Sequence, residues 1–202
     1  MDQLEADLAR FYDQDAEDRA VRERDPRRVE CQESFARLLL AERRRSILEV
    51  GTGPGRDAQA FMAHGLKVSG VDLSAEHVRL CAAAGVEACL ASVHHLPFPD
   101  DTFDAGWTMS TLIHVPDAEF DAAMREVRRV LTAGSPLAVG LWGGSDSEGI
   151  RVEDDIHPRR FFSKRSNERV QTMLAEHGSL EQFDTWSPGG QGTYQFAVLR
   201  VT

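Results

Sequence analysis

From Ile47 onward, short apolar runs alternate with segments whose apolar residues recur every three or four positions. The run Ile47-Leu48-Glu49-Val50-Gly51 reads as a buried strand, and the glycine-rich turn after it opens a helix over 56–64. Residues 67–72 predict a second strand, and Ser74 is placed as the N-cap of a helix that closes at Gly85. Residues 86–91 and 103–110 predict the third and fourth strands, and 136–142 the fifth. Asp117 stands where it would cap a helix whose Phe120, Met124, Val127 and Leu131 share one face. Strand and helix alternate five times, which implies βαβ units and a parallel sheet with helices on both faces.

The two ends differ from this middle. Residues 1–45 are charge-dense, with helical patches at Leu4, Leu8, Phe11 and Tyr12, then at Phe35, Leu38 and Leu39. Asp25-Pro26 separates the two helices. At the other end, Ser166 opens a helix to 177, and 180–186 and 193–201 read as strands joined by Pro188-Gly189-Gly190. So short a connection suits an antiparallel pair. The prediction is a doubly wound α/β fold, a mostly parallel seven-stranded sheet ending in an antiparallel hairpin.

Composition narrows the function. The chain has 202 residues, 42% apolar and 28% charged, which fits one globular domain. Its net charge of −10 argues against a nucleic-acid partner, which would need a cationic surface. The basic clusters at 43–45 and 159–169 read as solvated faces. Cys31, Cys81 and Cys89 are odd in number and lack CxxC spacing, so they read as reduced thiols without a disulfide or a metal site. No stretch reaches the roughly 18 apolar residues of a membrane span, and the acidic start is unlike a signal peptide. The expectation is a cytoplasmic protein without a membrane partner.

The chemistry begins at Glu49-Val50-Gly51-Thr52-Gly53-Pro54-Gly55, where glycines at alternate positions leave backbone bare at a strand's carboxyl end. The spacing departs from the dinucleotide pattern G-x-G-x-x-G, since Arg56 stands where its last glycine would be. A carboxylate at Glu49 would repel a pyrophosphate and attract an ammonium or sulfonium. Asp72, ending the second strand, is placed to accept both hydroxyls of a ribose. Together these residues specify an adenosine with a cationic tail, which describes S-adenosylmethionine.

The segment from Ile47 to Asp57 resembles the first motif of class I S-adenosylmethionine-dependent methyltransferases, and Val71-Asp72-Leu73-Ser74 their second. The run Leu96-Pro97-Phe98-Pro99-Asp100-Asp101-Thr102-Phe103-Asp104 is similar to the UbiE-like branch, as are Leu112-Ile113-His114-Val115-Pro116-Asp117 and residues 131–141. The resemblance implies a Rossmann-like fold: a single domain over 1–202, with a helical lid (1–45), a cofactor-binding core (46–145) and a C-terminal helix and hairpin (146–202). It implies that Gly51, Thr52, Gly53 and Gly55 form the cofactor turn, with Gly51 and Gly53 along the methionine moiety and Glu49 facing its amino end. Asp72 would hold the ribose, with Leu73 and His77 beside the adenine. Ala91-Ser92 stands where the family usually has Gly-Asp, so Ser92 offers the adenine a neutral acceptor, and Val93 its N–H. Met109 and Ser110 would follow the methionine chain. Tyr12 resembles the lid aromatic over the cofactor, though it would serve equally as a helix-packing ring.

S-adenosylmethionine carries its methyl on positive sulfur and leaves as S-adenosylhomocysteine, so the enzyme aligns a nucleophile and excludes water. A protonated acceptor also needs a base, for which His114 is the candidate. His94, His95 and His157 are weaker candidates, and Arg56 reads as an ion-pair partner for a neighbouring acid. The polar loop after Trp142 is too short for a substrate domain. A small molecule therefore suits the acceptor better than protein or RNA, with Trp142, Phe161 and Phe162 as possible lining. Two rivals stand beside this reading, an NAD(P)-dependent oxidoreductase and a non-catalytic cofactor-binding protein. Oligomeric state is left open.

Overall fold

A computed structural model describes residues 2–190 and 192–202. Its strands are β1 (Ser46–Val50), β2 (Lys67–Asp72), β3 (Ala88–Leu90), β4 (Gly106–Met109), β5 (Pro136–Gly143), β6 (Ser147–Ile150), β7 (Phe161–Lys164), β8 (Gly178–Trp186) and β9 (Thr193–Val201). Among the described residues, seven of them form one sheet in the order β3-β2-β1-β4-β5-β9-β8. β1 to β5 run parallel, β9 pairs antiparallel with β5, and β8 antiparallel with β9. The order reverses between β1 and β4. That switch point leaves a crevice at the strands' carboxyl ends.

The helices are α1 (Gln3–Val21), α2 (Pro26–Ala41), α3 (Arg56–Ala63), α4 (Ala75–Ala83), α5 (Asp117–Arg129) and α6 (Asn167–Ala175). Side chains alternate across the sheet with the period of two that a strand imposes. Leu48 and Val50 pack with Phe120, Met124 and Val127 of α5 on one face. Ile47 packs with Phe35, Phe61 and Trp107 on the other. Glu49 shares the face of Ile47 and pairs in register with Trp107. Asp25, Ser74 and Ser166 cap α2, α4 and α6, each accepting a backbone N–H.

Four expectations need correction. The third and fourth strands are shorter than their apolar runs, and Phe103 makes only an isolated bridge to Leu131. Asp117 is not a cap, because Pro116 takes that place and the Asp117 carboxylate is drawn to Arg165 and Ser163 instead. The stretch after Trp142 is not a plain loop, since β6 and β7 form an antiparallel ribbon there. The cluster at 159–169 is not a solvated face. Arg165 has a side chain 1% exposed. Its guanidinium donates to Asp117 Oδ1 (2.7 Å), to the carbonyls of Leu112 and Ser163 (3.2 Å each) and to that of Val115 (2.8 Å). A planar five-donor fork is the group that can satisfy so many acceptors out of water. Arg160 is likewise sunk, paired with Asp154 at 2.6 Å.

Candidate active site

The crevice opens into a cleft of about 960 Å³, mouth included. Its wall is the carboxyl ends of the parallel strands: Val50 and Gly51 at the end of β1, Asp72 and Leu73 at the end of β2, Ala91 and Val93 after β3, Met109 and Ser110 at the end of β4. Its cover is α1, which contributes Leu4, Leu8 and Tyr12 at four-residue spacing, together with Glu5 and Arg19. The cover is tied to the wall. Asp13 accepts the Ser74 hydroxyl (2.6 Å) and the Glu76 N–H (3.2 Å).

The glycine turn is set by its neighbours. Gly51 has φ +75°, and a Cβ there would lie 1.9 Å from the Thr111 hydroxyl oxygen, so no other residue fits. Gly53, at φ +55°, has nothing within 4 Å of where its Cβ would be, which leaves cleft space above it. Asp72 accepts the Gly53 N–H (2.8 Å) and the Ser74 N–H (2.9 Å), and His77 Nδ1 lies 3.2 Å from the same carboxylate. His77 Nε2 is buried and has no hydrogen-bond partner among the described residues. Ser110 adopts a left-handed backbone at φ +61°, a strained state for serine, held by its N–H to Gly140 (2.7 Å) and its contact with the Tyr194 hydroxyl (3.3 Å).

At the other end stands His114, whose 3₁₀ turn (Leu112–His114) follows β4. Its Nδ1–H donates to the Phe161 carbonyl (2.8 Å), which fixes the tautomer, so Nε2 accepts from the Tyr12 hydroxyl (2.8 Å). Burial, reinforced by Arg160 and Arg19, pushes the imidazole down to about 4 despite the Phe161 carbonyl. His114 is therefore neutral through the physiological range. Arg160 Nη1 also approaches the Tyr12 oxygen (3.4 Å).

Residues 47–134 match a family model described as a methyltransferase domain. The chain is 37% identical to the methyltransferase GfsG of Streptomyces halstedii over 103 residues, 46% of this chain and 36% of that one. It is 32% identical to the O-methyltransferase rstn1 of Aspergillus nomiae over 110 residues, 50% of this chain and 48% of that one. These matches span less than half the length of either relative. A solved DhpI–SAM–HEP complex superposes with a TM-score of 0.75 at 20% identity, covering 99% of both chains. Residues 47–134 are thus similar in sequence to a methyltransferase domain, and the whole chain shares the fold of that solved neighbour.

Nine of the expected site residues line the cleft: Tyr12, Gly51, Gly53, Asp72, Leu73, His77, Val93, Met109 and Ser110, with His114 at its far end. Four expected cofactor residues do not. Glu49 lies behind the turn, 3% exposed, and accepts the Thr52 hydroxyl (2.9 Å). Burial, then Asp57 and Asp72, hold its carboxyl well above the usual range. Burial favours its neutral form and the side chain does not line the cleft, so the charge argument for a cationic tail does not pass through it. Thr52 is spent on Glu49, and Gly55 is the N-cap of α3, packed on Cys81. Ser92 turns its hydroxyl to Glu5 while accepting the His94 N–H (3.0 Å). Arg56 makes no ion pair among the described residues and donates to the Arg22 carbonyl. Of the expected acceptor-side aromatics, Phe161 reaches the cleft, Phe162 packs on the His114 ring at 4.7 Å, and Trp142 packs on Tyr194 at 5.2 Å. Of the loop histidines, His94 lines the cleft, 3.5 Å from Glu119.

Sequence reasoning missed Glu5, Arg19, Thr111 and Glu119 in the lining. The spacing of Leu4, Leu8 and Tyr12 was the signal that α1 presents one face. Nothing in that spacing said the face closes a cleft. Among the described residues, no helix is long and apolar enough to cross a membrane, and no group of three or more His, Cys, Asp or Glu is arranged for a metal.

Proposed function

We propose that the chain binds S-adenosylmethionine in this cleft and transfers its methyl group to an oxygen, nitrogen or carbon nucleophile of a small molecule. One observation carries the reading: Asp72 and the open turn at Gly53 share a single cleft with the Tyr12–His114 pair. The relatives named methyltransferase and O-methyltransferase support the reaction, and the neighbour solved with SAM supports the cofactor.

The residues suit an adenosine. Asp72 offers a charged acceptor to ribose hydroxyls, and the unpartnered His77 Nε2 gives a further polar atom in the same wall. Leu73, Ala91 and Val93 provide apolar surface for a base, and bare backbone at Gly53 admits the methionine portion. Bound there, the cofactor supplies a methyl group already activated by positive sulfur.

The protein's own share is alignment, exclusion of water and, for a protonated acceptor, proton removal. α1 covers the cleft and excludes bulk water. His114 Nε2 is the acceptor site for a proton, reached directly or through the Tyr12 hydroxyl that now donates to it. A base held near 4 is too weak to ionise a free alcohol or phenol at neutral pH. It suffices once the acceptor oxygen has begun to bond the methyl group, because that oxygen becomes far more acidic. Proton transfer therefore accompanies or follows methyl transfer.

The test is transfer of labelled methyl to a panel of small alcohols, phenols and amines, with calorimetry against S-adenosylhomocysteine and NADH. His114→Ala should slow transfer about 100-fold while cofactor affinity stays within a few-fold. Binding of NADH alone would replace the cofactor and restore the oxidoreductase. Tight cofactor binding with no transfer to any acceptor would favour a binding protein.

A further inference from the structure

We infer that Glu5, from the covering helix, is the residue that selects adenine over other purine bases, and that Ser92 positions it. This rests on the cofactor reading above. With a ribose at Asp72, the base extends toward the loop after β3, where the wall is Leu73, Ala91, Val93 and His94. Leu73, Ala91 and Val93 offer no polar group, and His94 Nε2 is turned to Glu119 at 3.5 Å. Ser92 belongs to the same loop, yet it does not line the cleft, and its hydroxyl is committed to Glu5 and to the His94 N–H.

Glu5 does line the cleft, one turn from Leu8 on the face that α1 turns inward. Its carboxylate receives the Ser92 hydroxyl and, at 3.2 Å, the Asp2 N–H in a capping box. Both contacts orient the carboxylate. The unpartnered, buried His77 Nε2 in the same wall is an independent sign that this end is shaped for a polar ligand.

A carboxylate accepts hydrogen bonds and donates none. It therefore favours the exocyclic amine of adenine and disfavours the carbonyl that replaces it in hypoxanthine. Because Glu5 rides on the cover, base recognition depends on the seat of α1 against the wall, where Asp13 holds Ser74 and Glu76.

The experiment titrates wild type, Glu5→Gln and Ser92→Ala with S-adenosylhomocysteine and S-inosylhomocysteine by calorimetry. Glutamine keeps the capping box, so an unchanged melting temperature would show α1 intact. Wild type should prefer the adenosyl compound by about tenfold or more, the discrimination expected of a charge-assisted contact. Glu5→Gln should bring the two affinities within about threefold, because its amide can also donate to the hypoxanthine carbonyl. Ser92→Ala should narrow the ratio less. Wild type that binds S-adenosylhomocysteine tightly, with the same preference in Glu5→Gln, would overturn this assignment alone. Wild type that binds neither compound would overturn the cofactor reading with it.

Discussion

On the wall of the cleft, Gly51, Gly53, Asp72 and His77 come from two consecutive strand–turn–helix units. On its cover and far end, Tyr12 meets His114 across 102 positions, and His114 meets Phe161 across 47. The wall is held by backbone N–H groups and by glycine conformations that its own turns dictate. The far end is held by side chains that the fold must first bring together. A site can thus have a locally encoded half that binds and a topologically encoded half that acts. Damage to each should look different.

The largest effect is expected at Arg165, where the ribbon meets the turn that carries His114. Arg165→Met removes a buried donor from three carbonyls and from the Asp117 carboxylate, which keeps, among the described residues, only Ser163 and the half-exposed Arg169. Removing one partner of a buried pair costs about 3–5 kcal/mol, readable as a lower urea midpoint. If the far end is as dependent on topology as the distances imply, transfer should fall further than cofactor affinity does. A variant as stable as wild type would show that the ribbon is no support for His114.

Asp72→Asn attacks the wall alone. Neutralising a carboxylate that already holds the Gly53 and Ser74 N–H groups should cost about 2–3 kcal/mol of cofactor binding, roughly 100-fold. Calorimetry with S-adenosylhomocysteine measures it, and folding should change far less. Equal damage to both would mean that Asp72 serves the turn and not a ligand.

The same division explains what could be read beforehand. Glycine spacing, an acid ending β2 and the caps at Ser74 and Ser166 are local signals, and each stands where the pattern put it. The β6–β7 ribbon gave no signal. Ser147-Glu148-Gly149-Ile150 is exposed throughout, so no apolar alternation marks it as a strand. Arg160 and Arg165 looked like surface charge because burial of an arginine depends on groups distant in sequence, here Tyr12 by 148 positions and Val115 by 50. The strain at Ser110 is likewise set by β5 and β9, through Gly140 and Tyr194.

Glu49 is the instructive miss, because its position was legible. It alternates with Ile47 and so had to face α2 and α3, toward Asp57 and away from the cleft. The smallest effect is accordingly expected there. Glu49→Gln keeps an acceptor for the Thr52 hydroxyl, and affinity for S-adenosylhomocysteine should change by less than about threefold, or ~0.6 kcal/mol, because the exchange is made behind the turn and outside the cleft lining. Its signature is in stability against pH. The folded carboxyl titrates well above its ordinary value of 4.5, so between that value and its folded pKa the native state binds more protons than the unfolded chain. Stability contributed by the protonated acid is complete below 4.5 and is lost as pH rises through the window. Glutamine does not titrate, so the variant should lack this decline and gain on wild type toward alkaline pH in urea unfolding. A tenfold loss of affinity in Glu49→Gln, with proton release when wild type binds the cofactor, would put an ionised Glu49 back beside the ligand. The boundary between the wall and the buried acids behind it would then have to be redrawn.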